Sequence, residues 1–310
     1  MNLISLARKA GQYAERAFAH ENAKVRRKNK IRSIFFALTS ARFTSTWFNL
    51  LDEDMFQSLN HHRLPVYMKP YRVYMSLKWD RYRKMKVIKE TYTLLSEGGA
   101  LLNQLIHSEK ELEIFRIQLD EVQLECHLGY DNRYRKEGEL VVSIHCKSLG
   151  GFISAASFSF EVLDSGKLAC WIGCIQGHGI QDDRPSKQLQ KQLHGWRPKA
   201  ANIFIIQELA MAMGATVVGG SSDAIQAYRK KHMIHIHFLH RIEFNYDAVW
   251  EEAGGIKDKE GWYRLPLPPA RKSMEEIKSN KRSLYRRRYQ LMDQMHQEIQ
   301  LFAAKLKQTI

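Results

Sequence analysis

Apolar residues recur at helical spacing near the start of the chain. Leu3, Leu6, Ala7, Ala10, Tyr13, Ala14, Ala17 and Phe18 predict an amphipathic helix over 2–22. Six basic residues in nine follow, from Lys24 to Arg32, and Ser33 is the candidate N-cap of an aromatic-rich second helix reaching Leu51. Pro65 and Pro70 predict an extended connector. A third helix is expected over 76–95, stopped by Gly98-Gly99, with a short helix to His107. At Glu111 the period becomes two. Strands are expected at 111–119, 122–128, 140–146, 152–163 and 168–176, joined by turns at Asp131-Asn132-Arg133, Gly150-Gly151 and Asp164–Lys167. A polar loop then leads from Gly177 to Pro198. Beyond it the pattern gives an amphipathic helix 200–213, a short strand 216–218 and a helix 223–231 capped by Ser221 or Ser222. An alternating segment 235–244, a helix 246–253, a strand 262–266 and a long basic helix 273–306 complete the chain. Short turns make the first five strands mostly antiparallel. The fold class is therefore α+β, a mixed sheet flanked by helices, in three parts: a basic helical region 1–108, a core 109–270 and a basic C-terminal helix 271–310.

Composition sharpens this division. The 310 residues are 44% hydrophobic and 26% charged, which excludes a disordered or low-complexity chain. The net charge of +15 sits at the ends. Residues 1–110 carry 20 basic and 9 acidic side chains, 111–270 carry 18 and 20, and 271–310 carry 10 and 4. A near-neutral core with basic flanks calls for a polyanionic partner. A basic run behind an amphipathic helix, with aromatic neighbours, favours an anionic membrane surface or lipid. Nucleic acid is the less favoured partner, because zinc-finger, homeodomain and RNP-type motifs are absent. The sequence holds no run of about 18 apolar residues and no signal-peptide pattern, which predicts a cytoplasmic protein. Cys126, Cys146, Cys170 and Cys174 lie in strand-like apolar contexts and read as reduced core thiols, and no metal site is expected.

Candidate chemistry concentrates after the fifth strand. Gly173-Cys174-Ile175-Gln176-Gly177-His178-Gly179 ends that strand with glycines that let a ligand approach the backbone. The segment continues to His194-Gly195-Trp196-Arg197-Pro198-Lys199, which opens a helix whose N-terminus is a natural anion site. Gln176, Gly177, Trp196, Arg197 and Lys199 are the candidate binding residues. His178, Asp182, Asp183 and His194 are candidates for general acid–base work. Ser222 opens the next helix as a binding candidate, and Tyr228 within it is a candidate proton donor. His232, His235, His237 and His240 read as partly exposed strand histidines rather than ligands. No nucleophile elbow, Walker loop, dinucleotide fingerprint or HExxH motif occurs.

Four segments together resemble the VirK/YbjX family of Gram-negative bacteria: Ile172–Gly177, His194–Lys199, Tyr246-Asp247-Ala248-Val249-Trp250 with Gly254-Gly255, and Lys281–Tyr289. The resemblance spans nearly all of the chain after the first thirty or so residues. It implies a role in virulence and in resistance to cationic antimicrobial peptides through the cell envelope, and the basic helices are expected to dock such a protein peripherally on the inner membrane. A second resemblance, at the level of fold, is to the GNAT acyltransferases. It implies that the central strand and the following helix N-terminus hold the pyrophosphate of acyl-CoA, and that Tyr228 protonates the departing thiolate. The short glycine-rich loop of those enzymes is replaced by about twenty residues ending in Trp196-Arg197-Pro198-Lys199. That leaves acyl-CoA or the phosphopantetheine of an acyl-carrier protein as donor. The alternative function is a non-enzymatic regulatory protein binding lipid or RNA.

Overall fold

The computed structural model describes residues 1–108, 110–177, 183–227 and 244–308. Helix α1, Leu3–Ala17, is capped by the Asn2 side chain, and α2, Ala23–Thr39, by that of Asn22. The basic run is therefore helical, and Ser33 caps nothing. It lies buried on the inner side of α2, bonded to the Asn29 carbonyl and the Tyr67 hydroxyl. The expected helix to Leu51 breaks at Ser40, and α3, Ala41–Leu50, follows. Next comes α4, Asp54–His62. The two prolines do not mark an extended connector. They sit in one 3-10 helix, Leu64–Tyr71, whose start tolerates proline because its first N–H groups have no intrahelical partner. The third expected helix begins late, as α5, Arg81–Glu97, because Asp80 supplies the cap. The preceding residues form isolated bridges and a turn, in which Ser76 bridges Gln226. After Gly99, α6 covers Ala100–His107.

The strands follow the alternation closely: β1 Leu112–Gln118, β2 Gln123–Gly129, β3 Leu140–Cys146, β4 Gly151–Val162 and β5 Leu168–Gly177. The polar loop after β5 contains a helix, α7, Arg184–Gln192. Helix α8, Pro198–Ala212, leads to β6, Val217–Ser221. Residues 223–225 form a turn rather than the expected helix, and Gln226 is held in the bridge to Ser76. The remainder of that expected helix and nearly all of the alternating segment 235–244 lie outside the described residues. Then come α9 Tyr246–Glu252, β7 Ile256–Lys257, β8 Trp262–Leu265 and α10 Arg282–Gln308, which starts nine residues after the expected position.

Eight strands form one sheet in the order β1-β2-β3-β4-β5-β6-β8-β7, antiparallel except for β5 and β6. Helix α8 packs on β3, β4 and β5, and α10 packs on α8. Ala201 to Ala210 are consequently buried without interruption, so α8 is a central helix rather than an amphipathic one. The opposite face carries Trp79, Trp171 and Trp262, with Arg83 over the first two rings. There α5 meets the last third of β4, which β3 leaves unpaired: Thr91 Oγ1 both accepts from Phe160 N–H and donates to Phe160 C=O. One apolar cluster runs from Leu6 to Leu306.

Candidate functional site

Strands β5 and β6 pair only from Ala169↔Val217 to Ile172↔Gly220. At Gly173 the register between β4 and β5 also shifts, so this residue bulges out of the ladder. Beyond it the two parallel strands separate, and side chains take over the carbonyls that β6 abandons. Ser221 Oγ and Gln226 Nε2 donate to Gly173 C=O at 2.8 and 3.0 Å, and the Tyr246 hydroxyl donates to Ile175 C=O at 3.4 Å. Gly173 has to be glycine, because the Glu137 backbone occupies the space of a Cβ.

Glu137 is the most unusual group in this splay. It is fully buried, and no side chain among the described residues hydrogen-bonds its carboxylate, which has only the adjoining Lys136 backbone N–H to stabilise a charge. Burial pushes its pKa up to about 8, against the charges of Lys136, Lys69 and Arg135. Leaving a buried acceptor unpaired costs about 1–3 kcal/mol, and more for a charge, so a neutral carboxyl is favoured. Ser222 Oγ, which lies toward Gly261, is also buried and unpartnered among the described residues. Burial raises the Tyr246 hydroxyl well above its ordinary value, with Cys174 and Glu137 adding to the rise, so it remains a proton donor.

At the open end of the splay lies the α8 N-terminus. It faces a groove of about 480 Å³ whose walls include Lys187, Arg197, Lys199, Lys272 and Arg288 together with Trp196, Phe204, Phe244, Tyr285 and Tyr289. Lys199 is half-buried over the Phe244 ring at 3.8 Å and has no carboxylate partner among the described residues. Burial lowers its pKa. Its Cε lies 3.1 Å from where a Cβ on Gly177 would stand, so this glycine lets the lysine approach the end of β5. Arg197 bonds Glu252 at 2.9 Å, an exposed pair worth about 1 kcal/mol or less, which a phosphate can displace. Asn202, on the next turn of α8, donates to Ser154 Oγ and buries an unpartnered Oδ1. Ser154 is the register partner of Gly177. Fixed cations, a helix dipole and reachable backbone stand together here beside apolar walls, an arrangement whose chemistry suits an anion.

The sequence-derived candidates divide between these places. Asp183, Trp196, Arg197 and Lys199 line the groove, where Asp183 pairs with Lys187 at 2.7 Å. Gln176 and Gly177 end β5 beside it. Ser222 follows β6 and is buried toward Gly261, apart from the groove. His194 lines neither: it adopts φ 52°, and its carbonyl anchors Arg288 at 3.0 Å. Burial, with Arg287 and Arg288, lowers its pKa. His178, Asp182 and Tyr228 lie outside the described residues.

The family model described as "Protein of unknown function (DUF535)" matches residues 22–301. The chain belongs to that family. It is 29% identical over 301 residues to the Escherichia coli "Uncharacterized protein YbjX", covering 94% of this chain and 86% of that one. A Haemophilus influenzae "Uncharacterized protein" is 32% identical over 226 residues, 72% of each chain. No solved structure matches. The VirK/YbjX resemblance is thereby shown. No described helix is long and apolar enough to cross a membrane.

In this VirK/YbjX chain the sequence reading missed Glu137, Asn202, Gln226, Tyr246 and Arg288. Glu137 stands in Lys136-Glu137-Gly138-Glu139, which reads as a charged turn. The one available signal was the pair of acids and the glycine immediately before the apolar strand β3. Gly138 lets this segment lie against Phe158, where a Cβ would stand 2.5 Å from its backbone nitrogen.

Proposed function

We propose that the chain is an acyltransferase that takes an acyl group from a phosphopantetheine thioester and works at an anionic membrane surface. The observation that carries this reading is the splay of β5 from β6, with a cationic helix N-terminus at its open end and an unpaired carboxyl at its closed end. Gly173 and Gly177 are four residues apart, roughly 13 Å at strand rise. An extended phosphopantetheine arm along β5 fits that span, with phosphates at Arg197, Lys199 and the α8 N-terminus and the thioester beside Glu137. The donor is acyl-CoA or an acyl-carrier protein.

The acceptor amine or hydroxyl attacks the thioester carbonyl, and its proton passes to the Glu137 carboxylate. The C–S bond breaks, and the leaving thiolate takes a proton from a phenol, Tyr246 or Tyr228. A base with a pKa of about 8 is well matched to this work at neutral pH. Asp183 suits it less, because it is exposed and paired with Lys187 among the groove cations. An envelope component presented at the inner membrane is the acceptor. Its acylation is the route to resistance against cationic antimicrobial peptides.

The test is a thermal-shift series with acyl-CoA, free CoA, acyl-carrier protein, RNA and anionic vesicles, paired with a thiol-release assay. A donor at one hundred times its Kd adds about 2.7 kcal/mol of apparent stability. The shift is expected to vanish in Arg197→Ala with Lys199→Ala, while Glu137→Gln retains the shift and loses thiol release. A shift with vesicles or RNA alone, lost at high salt, would replace the enzyme by the non-enzymatic lipid- or RNA-binding reading.

A further inference from the structure

A different cluster stands on the solvent face of β1, β2 and β3. Glu113 pairs across the ladder with His127, His127 with Ser143, and Glu125 with His145. This register stacks two imidazoles side by side, ring centroids 5.1 Å apart. Glu111 reaches the same point just ahead of β1, its Oε2 3.8 Å from His127 Nδ1. One ligand atom each from Glu111, His127 and His145 lies within 4.8 Å of the others.

The outer contacts of both rings leave the same nitrogen free. His145 Nε2 is engaged by Ser143 Oγ at 3.0 Å. His127 Nε2 faces the Glu113 carboxylate at 3.9 Å, while its Nδ1 is buried with no hydrogen-bond partner. An imidazole whose far nitrogen meets a carboxylate or hydroxyl is the usual environment of a metal ligand, because the outer contact fixes the tautomer and raises ligand basicity. The cations nearby are balanced: Arg116 bonds Glu113, Lys147 pairs with Glu125, and Arg133 bonds Asp131.

We propose that Glu111, His127 and His145 bind a divalent first-row transition metal, Zn²⁺ above all, with the fourth position open to water. Two imidazoles and one carboxylate are a borderline donor set that suits zinc and leaves hard cations such as Mg²⁺ poorly served. Metal–ligand bonds of about 2.1 Å bring the three atoms to about 3.4 Å apart. Closing the cluster to that size requires side-chain shifts of about an ångström, which the exposed Glu111 permits. The bound ion joins three strands at the edge of the sheet.

The experiment is titration of the chelator-stripped full-length protein with Zn²⁺ by calorimetry, with Co²⁺ absorption as a second readout. One equivalent is expected to bind, with the visible bands of a four- or five-coordinate Co²⁺ site. His127→Ala and His145→Ala should each weaken binding by at least about 100-fold. Glu113→Gln should weaken it by about 10-fold through the outer contact alone. Both histidines are part-exposed, so the metal-free variants are expected to keep the wild-type circular dichroism and to melt within a few degrees of it. Zn²⁺ affinity unchanged in the His127→Ala/His145→Ala double variant would overturn the proposal. So would binding that disappears only when His235 and His237 are replaced, and so would no stoichiometric binding.

Discussion

The backbone of Glu137 fills the place of a side chain on Gly173. A Cβ there would lie 2.7 Å from the carbonyl carbon and 2.9 Å from the Cα of Glu137, and closer still to the carbonyl oxygen. The β5 bulge and the segment before β3 are therefore built around each other, and Glu137 is delivered to the splay by this fit. Gly173→Ala has no flexible neighbour to push aside. We expect it to destabilise the fold by about 1–3 kcal/mol or more, read as a lower urea midpoint with an unchanged slope. Gly166→Ala, at an open turn position with φ 76°, should cost only about 1 kcal/mol. A loss at Gly173 no larger than that at Gly166 would show that the backbone yields and that the close approach does not require glycine.

The buried Glu137 carboxyl makes stability depend on pH in a set direction. Its pKa rises from 4.5 to about 8 in the folded chain. Between those values the folded state holds a proton that the unfolded state has released, so stability falls as pH rises. The full span is worth roughly 5 kcal/mol, at 1.36 kcal/mol per unit. Glu137→Gln should flatten that slope and make the protein more stable than the wild type at pH 8–9. Urea titrations at pH 5, 7 and 9 check it. A wild-type slope that persists in the glutamine variant would move the titration to another group. If the proposed chemistry holds, wild-type thiol release rises with pH up to an apparent pKa near 8, and the variant falls by about 10²–10⁴-fold.

Much of the sheet was legible because its strands alternate or run apolar between turn residues, and both patterns follow directly from burial. The helical region was read less well. Ser33 resembles a cap because it follows charges, yet Asn22 starts the helix earlier, and a solvated basic run continues a helix without difficulty. Helix α7 was read as loop because it buries only Leu189 among its nine residues, so no apolar period marks it. The α8 N-terminus was legible through Pro198 and its cations. Glu137 was not, because a buried unpaired carboxyl is a property of tertiary packing. Its sequence neighbours, Lys136 and Gly138, point to a surface turn. The Glu111, His127 and His145 group comes from strand register, which spacing alone does not give.

Lys69 and Glu139 join the helical region to the sheet. The lysine Nζ meets both carboxylate oxygens at 2.7 Å, the Tyr92 hydroxyl donates to the same group at 2.6 Å, and both charged residues are almost wholly buried. Burial lowers the Lys69 pKa, against the pull of Glu139. Removing one partner strands the other charge in the core. Glu139→Leu and Lys69→Met are each expected to cost about 3–5 kcal/mol. The double replacement Lys69→Met with Glu139→Leu should recover much of that loss, because neither charge is then left alone. A double-mutant cycle by urea unfolding measures the coupling. Additive losses would mean that the pair is not a coupled unit.

The outer face of α2 carries the strongest combination of charge and exposed apolar surface. Ile31, Phe35 and Leu38 are 59%, 61% and 41% exposed at helical spacing, and Lys24, Arg27 and Lys28 line a shallow groove with Ile31. Basic residues near an anionic bilayer contribute about 1 kcal/mol each, and burying a Phe side chain contributes about 1.5–3 kcal/mol. The two contributions respond differently to salt. Charge attraction weakens as the screening length falls from about 10 Å at 0.1 M to about 3 Å at 1 M, whereas apolar insertion persists. Phe35→Ser should therefore weaken binding to anionic vesicles by about tenfold or more at every salt concentration. Lys24→Gln with Arg27→Gln and Lys28→Gln should weaken it by about a hundredfold at 0.1 M and little at 1 M. Vesicle co-sedimentation with the full chain measures both, and the melting temperature should hold because these side chains support no core. Equal binding to neutral and anionic vesicles would remove the electrostatic part. Wild-type binding by both variants would remove α2 from the membrane altogether.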